Sequence, residues 1–315
     1  MEPFITILMV TYLGTSPPMR MHHLVLSGLA LMPLAVLGQG DTVGHMPDDQ
    51  GTFRYITGRT TIADGAVTLD LPEGYRFLGG EQAREVIIEL WENPPEVAEN
   101  VLGIILPPGS GIHEEEYSFS FWVQYDESGH VSDGDAHAMD HEAMLAAMFA
   151  TDSLSNVQRM DAGYEPLYLV GWAAPPYYDG ERKTIHWALE FETADQDEHV
   201  LNYFVRVLGR KGFLEIDAVG AMPQLDAVQQ AIPTVLDFAY FNPGFRYEEF
   251  DPATDASAGR TVGGLVDGRM DEKVAEVVGM IGRIALVAVG LMLVIAVVVI
   301  WLLVRHSRRT SRSVA

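Results

Sequence analysis

The sequence predicts an α+β fold, a mainly antiparallel sheet with a few packed helices, followed by one C-terminal transmembrane helix. Three observations carry this expectation. Several segments alternate apolar and polar residues with period two, as half-buried strands do, and hairpin-length links join them. Fewer, longer stretches repeat their apolar residues at helical spacing. Ile284 to Val304 is an uninterrupted apolar run without a charge. Runs of strands set apart from the helices argue against a doubly wound parallel sheet.

Residues 1–40 are expected to hold an upstream extension and a signal peptide. Arg20, His22 and His23 precede the apolar stretch Leu24 to Leu37, which is too short to span a membrane and ends near Gly38 and Gly40, small residues suited to cleavage. Gly14, Pro17 and Pro18 do not suit the start of such a leader, which makes Met19 or Met21 the expected initiator. An uncleaved signal anchor is the alternative, disfavoured by Pro33 and by the short length. Residues 41–65 carry Gly, Pro and Asp without sustained periodicity up to Thr61 and are expected to be a flexible lead-in.

The folded body is expected over 66–250. Val67, Leu69 and Leu71 alternate as a strand, and Pro72 to Gly74 turns the chain into Tyr75, Phe77 and Leu78. Ala83, Val86, Ile87 and Leu90 give Glu81 to Trp91 a helical pattern that Pro94 and Pro95 stop. Val101 to Leu106 is a short apolar run. Tyr117 to Tyr125 is the clearest strand, with Tyr117, Phe119, Phe121, Val123 and Tyr125 on one face, which is expected to be the buried one. A helix is expected from Asp140 to Ala162, ending at Gly163. Leu167–Ala173, Thr184–Glu192, His199–Leu208 and Phe213–Gly220 form an expected meander, turning at Asp179-Gly180 and at Gly209 to Gly212. Gln224 to Phe238 follows as a helix interrupted or kinked at Pro233.

Residues 251–283 shift to Asp, Ala, Gly and Thr up to Gly268, a linker composition. Met270, Val274, Val277, Val278 and Ile281 then suggest an amphipathic juxtamembrane helix. The run 284–304 would be about 31 Å long as a helix, against a hydrocarbon core of about 30 Å. A buried core helix is the alternative; Trp301 suits an interfacial anchor. Arg305, Arg308, Arg309 and Arg312 make 305–315 a basic tail, which the positive-inside rule places in the cytoplasm. The expected location is therefore the inner (plasma) membrane, crossed once, with the main domain in the periplasm or outside.

Composition removes several functions. The 315 residues carry 20 Lys and Arg against 44 Asp and Glu, a net charge of -24, which argues against a nucleic-acid partner because phosphates are held by clustered cations. With no Cys, disulfides, thiolate metal sites and cysteine nucleophiles are excluded. Between Asp41 and Gly282 the balance is 14 basic to 43 acidic residues. Such a surface attracts cations or basic partners and is repelled by anionic headgroups, although solvation in a salty habitat is the favoured explanation of it.

The strings Leu71-Pro-Glu-Gly-Tyr-Arg-Phe-Leu78, Trp91-Glu-Asn-Pro-Pro95, Gly171-Trp-Ala-Ala-Pro-Pro-Tyr-Tyr-Asp179, Leu201-Asn-Tyr203 with Arg206-Val-Leu-Gly-Arg210, and Phe241-Asn-Pro-Gly-Phe-Arg-Tyr247 occur in that order. Together they resemble a family of uncharacterised bacterial membrane-anchored proteins, from roughly Ala66 to the span. The resemblance implies an exported domain with a C-terminal anchor and brings no catalytic residues with it.

Candidate chemistry is sparse. Asp133, Asp135, His137, Asp140 and His141 crowd into nine residues, and hard carboxylates with imidazoles could hold a divalent cation, the one cofactor considered. Their spacing matches neither the calcium-loop nor the His-Glu-x-x-His pattern, and a polar turn leading into an acidic helix start explains them as well. Glu114, Glu115 and Glu116 suit a solvated loop, and His186 and Glu190 share a strand face. Trp91 and Trp172 each precede a Pro-Pro pair. With Tyr177 and Phe241 they could line a groove for a peptide or glycan, or simply plug structural corners. No Gly-x-Ser-x-Gly, Ser-x-x-Lys or phosphate loop is present, and Gly109-Ser110-Gly111 makes a poor nucleophile elbow. The expected function is a non-enzymatic binding or interaction module, contacting the bilayer through its helix and an envelope protein or polymer through its body. A divalent-metal-assisted hydrolase acting on an envelope substrate is the alternative.

Overall fold

The computed structural model describes residues 43–47, 52–112, 119–194 and 198–268. The chain divides between Arg269 and Met270, and everything described lies in the first unit. The expected leader 1–40, Glu114 to Glu116, the juxtamembrane helix from Met270, the span 284–304 and the tail 305–315 fall outside the described residues. Among the described residues no helix is long and apolar enough to cross a membrane.

In chain order the elements are β1 (Val43–Pro47), β2 (Arg54–Ile62), β3 (Val67–Asp70), β4 (Arg76–Gly79), α1 (Gly80–Glu85) continuing as a π-helical turn (Val86–Leu90), α2 (Pro95–Ala98), β5 (Val101–Leu106), β6 (Ser120–Asp126), β7 (His130–Ser132) and α3 (His141–Asp161). Then come β8 (Leu167–Asp179), β9 (Thr184–Thr193), β10 (Val200–Leu208), β11 (Phe213–Ala221), α4 (Leu225–Phe238), β12 (Ala239–Phe241), β13 (Ser257–Thr261) and α5 (Val262–Asp267). The main sheet runs β12-β3-β2-β4-β5-β6-β11-β10-β9-β8, with β1 added to β2, and all of its pairings are antiparallel. A short parallel pair, β7 with β13, stands apart from it. The α+β class, the antiparallel meander and the segregated helices are as expected.

Helices pack on both faces of the sheet. Met144 and Met148 of α3, Ala83 of α1 and Val262 and Val266 of α5 share one core with Trp122, Trp187 and Phe204. Val228, Ile232, Val235 and Phe238 of α4 share the other with Phe121, Val123, Leu201 and Val205. This double cover corrects the expectation of one buried face for β6. The alternation is real, but Trp122 and the polar Ser120 and Gln124 on its second face are buried too. Pro233 sits within α4 without ending it.

Two segments of loop composition are built into the fold. The expected flexible lead-in contains β2, which pairs with β3 through Arg59–Ile62 and with β4 through Tyr55 and Ile56, burying Phe53 and Tyr55. Neighbouring strands satisfy its backbone, so sparse apolar residues suffice. The expected linker likewise contains β13 and α5. Thr261 Oγ1 caps α5 by accepting from the Gly264 N–H at 3.3 Å, and Gly263 lets the backbone approach Asp135, whose Oδ2 would lie 2.6 Å from any Cβ there.

Edge strand β8 is fastened by a side chain of α3. The Leu167 N–H donates to Asn156 Oδ1 at 2.7 Å, and Asn156 Nδ2 donates to the Leu167 carbonyl at 3.0 Å. Asn156 is 4% exposed, so water cannot replace these bonds. Asn156→Ala should cost about 2 kcal/mol by leaving a buried N–H and C=O unpaired. Urea unfolding of the full chain measures the loss. Asn156→Asp, which would set a buried carboxylate against the Leu167 carbonyl and Asp152 Oδ2, should cost at least as much.

Candidate functional site

The five residues proposed as metal ligands are spread over separate structural tasks. Asp140 caps α3, its Oδ1 accepting from the Ala143 N–H at 3.0 Å. Asp135 Oδ1 accepts from the Gly263 N–H at 3.4 Å. His141 opens α3, and its carbonyl accepts from Trp172 Nε1 at 3.2 Å, while His137 is exposed. Among the described residues, no group of three or more His, Asp or Glu side chains is placed to share an ion. Helix initiation and loop docking explain the crowding in sequence, because acids favour a helix start.

Asp133 belongs to a different assembly, made by residues far away in the chain. Its Oδ2 accepts from Tyr178 Oη at 2.8 Å and from Lys183 Nζ at 2.9 Å, and Tyr247 also donates to the carboxylate. Burial pushes the Asp133 carboxyl up, but the bonds from Lys183, Tyr178 and Tyr247 outweigh it and hold the group below the usual carboxylate value. Burial and the Asp133 charge push the Tyr247 hydroxyl up to about 12. His130 stacks on Phe250 at 3.8 Å and lies 4.4 Å from the Tyr247 ring, and burial lowers its pKa. Lys183 takes a positive φ of 53°, rare outside glycine, in the turn that Asp179 Oδ1 holds by accepting from the N–H groups of Glu181 and Arg182.

The four groove candidates do not share a groove. Trp91 stacks on Trp122 at 5.9 Å and donates Nε1–H to the Ile112 carbonyl at 3.2 Å, and both Trp91 and Trp172 pack on the α3 side of the sheet. Phe241 is buried in the α4-side core, edge-on to Tyr125 at 6.0 Å. Tyr177 is 65% exposed on β8. The first Pro-Pro pair makes the expected corner, since the helix ends at Leu90, Trp91 plugs the core and Pro95 starts α2; the second does not, since Pro175 and Pro176 lie inside β8, an edge strand where a missing N–H is tolerated. His186 and Glu190 also go separate ways. Glu190 Oε1 lies 2.6 Å from His199 Nδ1, and His186, its pKa lowered to about 4 by burial, lies 3.2 Å from Thr184 Oγ1.

Inside the α3-side core sits a charged triad. Arg206 pairs with both carboxylate oxygens of Asp217, with Nη2 3.2 Å from Oδ2, and with Glu215 Oε2 at 2.8 Å. Its guanidinium lies 5.2 Å from the Trp187 ring centroid and 5.6 Å from that of Phe204. The hairpin register places Arg206 directly opposite Glu215. Sequence reasoning missed the triad; its signal was a charge at mid-strand on either side of the Gly209–Gly212 turn.

The described surface has one unusual feature. Phe149, Leu154, Val157 and Met160 of α3 are 44% to 62% exposed; Tyr168 and Val170 of edge strand β8 are exposed too, but on the other face of the sheet, because they alternate with Leu167 and Leu169 of the α3-side core. Sequence reasoning missed this face because Met144 and Met148, on the opposite side of the helix, are equally apolar.

Residues 54–303 match the model of a family described as "Protein of unknown function (DUF2167)". The chain belongs to this family. The match starts at β2, upstream of Ala66 where the resemblance begins, in agreement with β2 being part of the fold. No curated protein matches the chain. Among solved structures, the chain is similar to cyanobacterial PsbP (CyanoP) from Synechocystis sp. PCC 6803, at 11% identity over 67% of this chain and 99% of that one, with a TM-score of 0.29. It is also similar to the Saccharomyces cerevisiae Ran-binding protein Mog1p, at 12% identity over 64% of this chain and 100% of that one, with a TM-score of 0.32.

Proposed function

We propose that the chain is a single-pass protein of the inner (plasma) membrane whose acidic domain faces the periplasm or exterior and binds a protein partner without catalysing a reaction. The observation that carries the binding reading is the exposed apolar face of α3 beside the open edge of β8. Large apolar side chains grouped on one helix face mark interaction surfaces. The 43 acidic residues against 14 basic ones between Asp41 and Gly282 favour a partner that flanks its apolar strip with Lys and Arg. The charge-free run 284–304 and the four arginines after it support the anchor and its direction.

Photo-crosslinking from position 154 in intact cells tests the surface. One protein should be captured at an apolar, basic-flanked site, and it should bind the purified full chain. Val157→Asp with Met160→Glu, both exposed changes, should abolish capture without changing the melting temperature. Capture of a glycan polymer instead, or of nothing, would overturn the partner. Topology has its own test. Alkaline phosphatase should be active when fused after Phe250 and inactive at the C-terminus, and the opposite pattern refutes the proposed orientation.

A further inference from the structure

A cleft of about 230 Å³ opens where the β8–β9 turn, the end of β10 and the α4–β12 junction meet the turn at Tyr247. Val207, Leu236 and Phe241 give it apolar walls, with Tyr240 alongside. Arg182, Lys183 and Arg246 also line it, against one acid, Glu248. In a body with 14 basic and 43 acidic residues, three cations line one cleft; Lys183 and Arg182 are paired with Asp133 and Asp237 beside it, which leaves Arg246 as the cation most available to a ligand.

Each cation retains hydrogen-bonding capacity. An ammonium has three donors and a guanidinium five. Lys183 Nζ gives one bond to Asp133, a carboxylate already bonded by the hydroxyls of Tyr178 and Tyr247. Arg182 Nη2 meets Asp237 Oδ1 at 2.8 Å, an exposed pair. Arg246 is exposed, and among the described residues its side chain forms no ion pair. The positive φ of Lys183 is a strained conformation that the fold maintains, with its carbonyl accepting from the Leu208 N–H at 2.8 Å, and strain of this kind gathers at functional sites.

We propose that this cleft binds a small apolar carboxylate, with the carboxylate held by Arg246 and Lys183 and the apolar body against Leu236, Val207 and Tyr240. Guanidinium and ammonium donors supply charge-assisted bonds, and the walls reward an apolar group instead of a bare anion. The volume is below the roughly 300–1,000 Å³ of sites for larger ligands, which limits the occupant to about the size of one amino-acid residue. Distant acids of the surface are screened beyond about 8 Å at physiological salt, and the nearer Asp133 and Asp237 are each neutralised by an ion pair with Lys183 and Arg182. The same chemistry is offered by a free acid and by the C-terminal residue of a peptide.

Calorimetric titration of the full chain tests the site with N-acetyl-L-phenylalanine, its C-terminal amide, a tetrapeptide ending in phenylalanine, and inorganic phosphate. The acid should bind, and the amide should bind about tenfold more weakly or worse, the loss expected when a charged hydrogen-bond partner is removed. Arg246→Gln should weaken the acid about tenfold with an unchanged melting temperature. Tighter binding of the tetrapeptide than of the acid supports the site and assigns a peptide terminus as the source, and the reverse supports the site and assigns a free acid. No binding of the acid up to roughly 10 mM, equal binding of acid and amide, phosphate binding as tightly as the acid, or an unaffected Arg246→Gln variant would each overturn the proposal.

Discussion

Replacing Arg206 with methionine should destabilise the domain by about 3–5 kcal/mol, a large part of the roughly 5–15 kcal/mol that holds a domain folded. Arg206 is 7% exposed and Asp217 2%, so removing the guanidinium leaves two carboxyls in the core without their cation. Methionine keeps most of the side-chain length beside Trp187 and Phe204, which separates loss of charge from loss of packing. Denaturant unfolding of the full chain measures the effect. Combining Arg206→Met with Glu215→Leu and Asp217→Leu should recover most of the loss, because an apolar triad carries no desolvation cost. An Arg206→Met variant within about 0.5 kcal/mol of the parent would show that the ion triad contributes nothing to the fold.

The second large effect depends on pH. Burial pushes the Glu215 carboxyl from 4.5 up to about 7, against the opposing pull of Arg206. Arg206 does not cancel this burial effect, because one guanidinium faces two buried carboxyls and is already paired with Asp217. The folded state therefore holds the Glu215 proton more tightly than the unfolded chain does. Its contribution to stability is fully present below about pH 4.5 and is lost as the pH rises through about 7. Glu215→Gln removes this dependence, so the stability of the variant relative to the parent should rise by about 2–3 kcal/mol between about pH 5 and pH 8. Carboxyls held low by their partners, such as Asp133 and Asp255, are common to both proteins and cancel in the difference. A flat difference across that interval would mean that Glu215 is ionised throughout.

The candidate residues show where sequence reasoning stops. The Asp133 to His141 cluster was drawn together by proximity along the chain, yet its members point to separate tasks, and Asp133 finds Lys183 fifty positions away. The aromatic and proline strings were equally visible, but Trp172 and Phe241 lie on opposite faces of the sheet. Adjacency along a chain carries little information about which side chains converge.

What the sequence by itself determined is what local periodicity can encode. It determined the antiparallel class, the meander of β8 to β11, the helix α3 with Gly163 just beyond its end, and the turn at Gly209 to Gly212 between β10 and β11. Only the tertiary structure decided that residues 54–62 and 257–267 join the fold, that β6 is buried on both faces, and that three cations gather at one cleft. The physical reason is that strand and helix patterns reflect burial of one residue relative to its neighbours in sequence. Backbone satisfaction by a distant strand, a second covering layer and the meeting of charges all depend on partners that the local pattern does not contain.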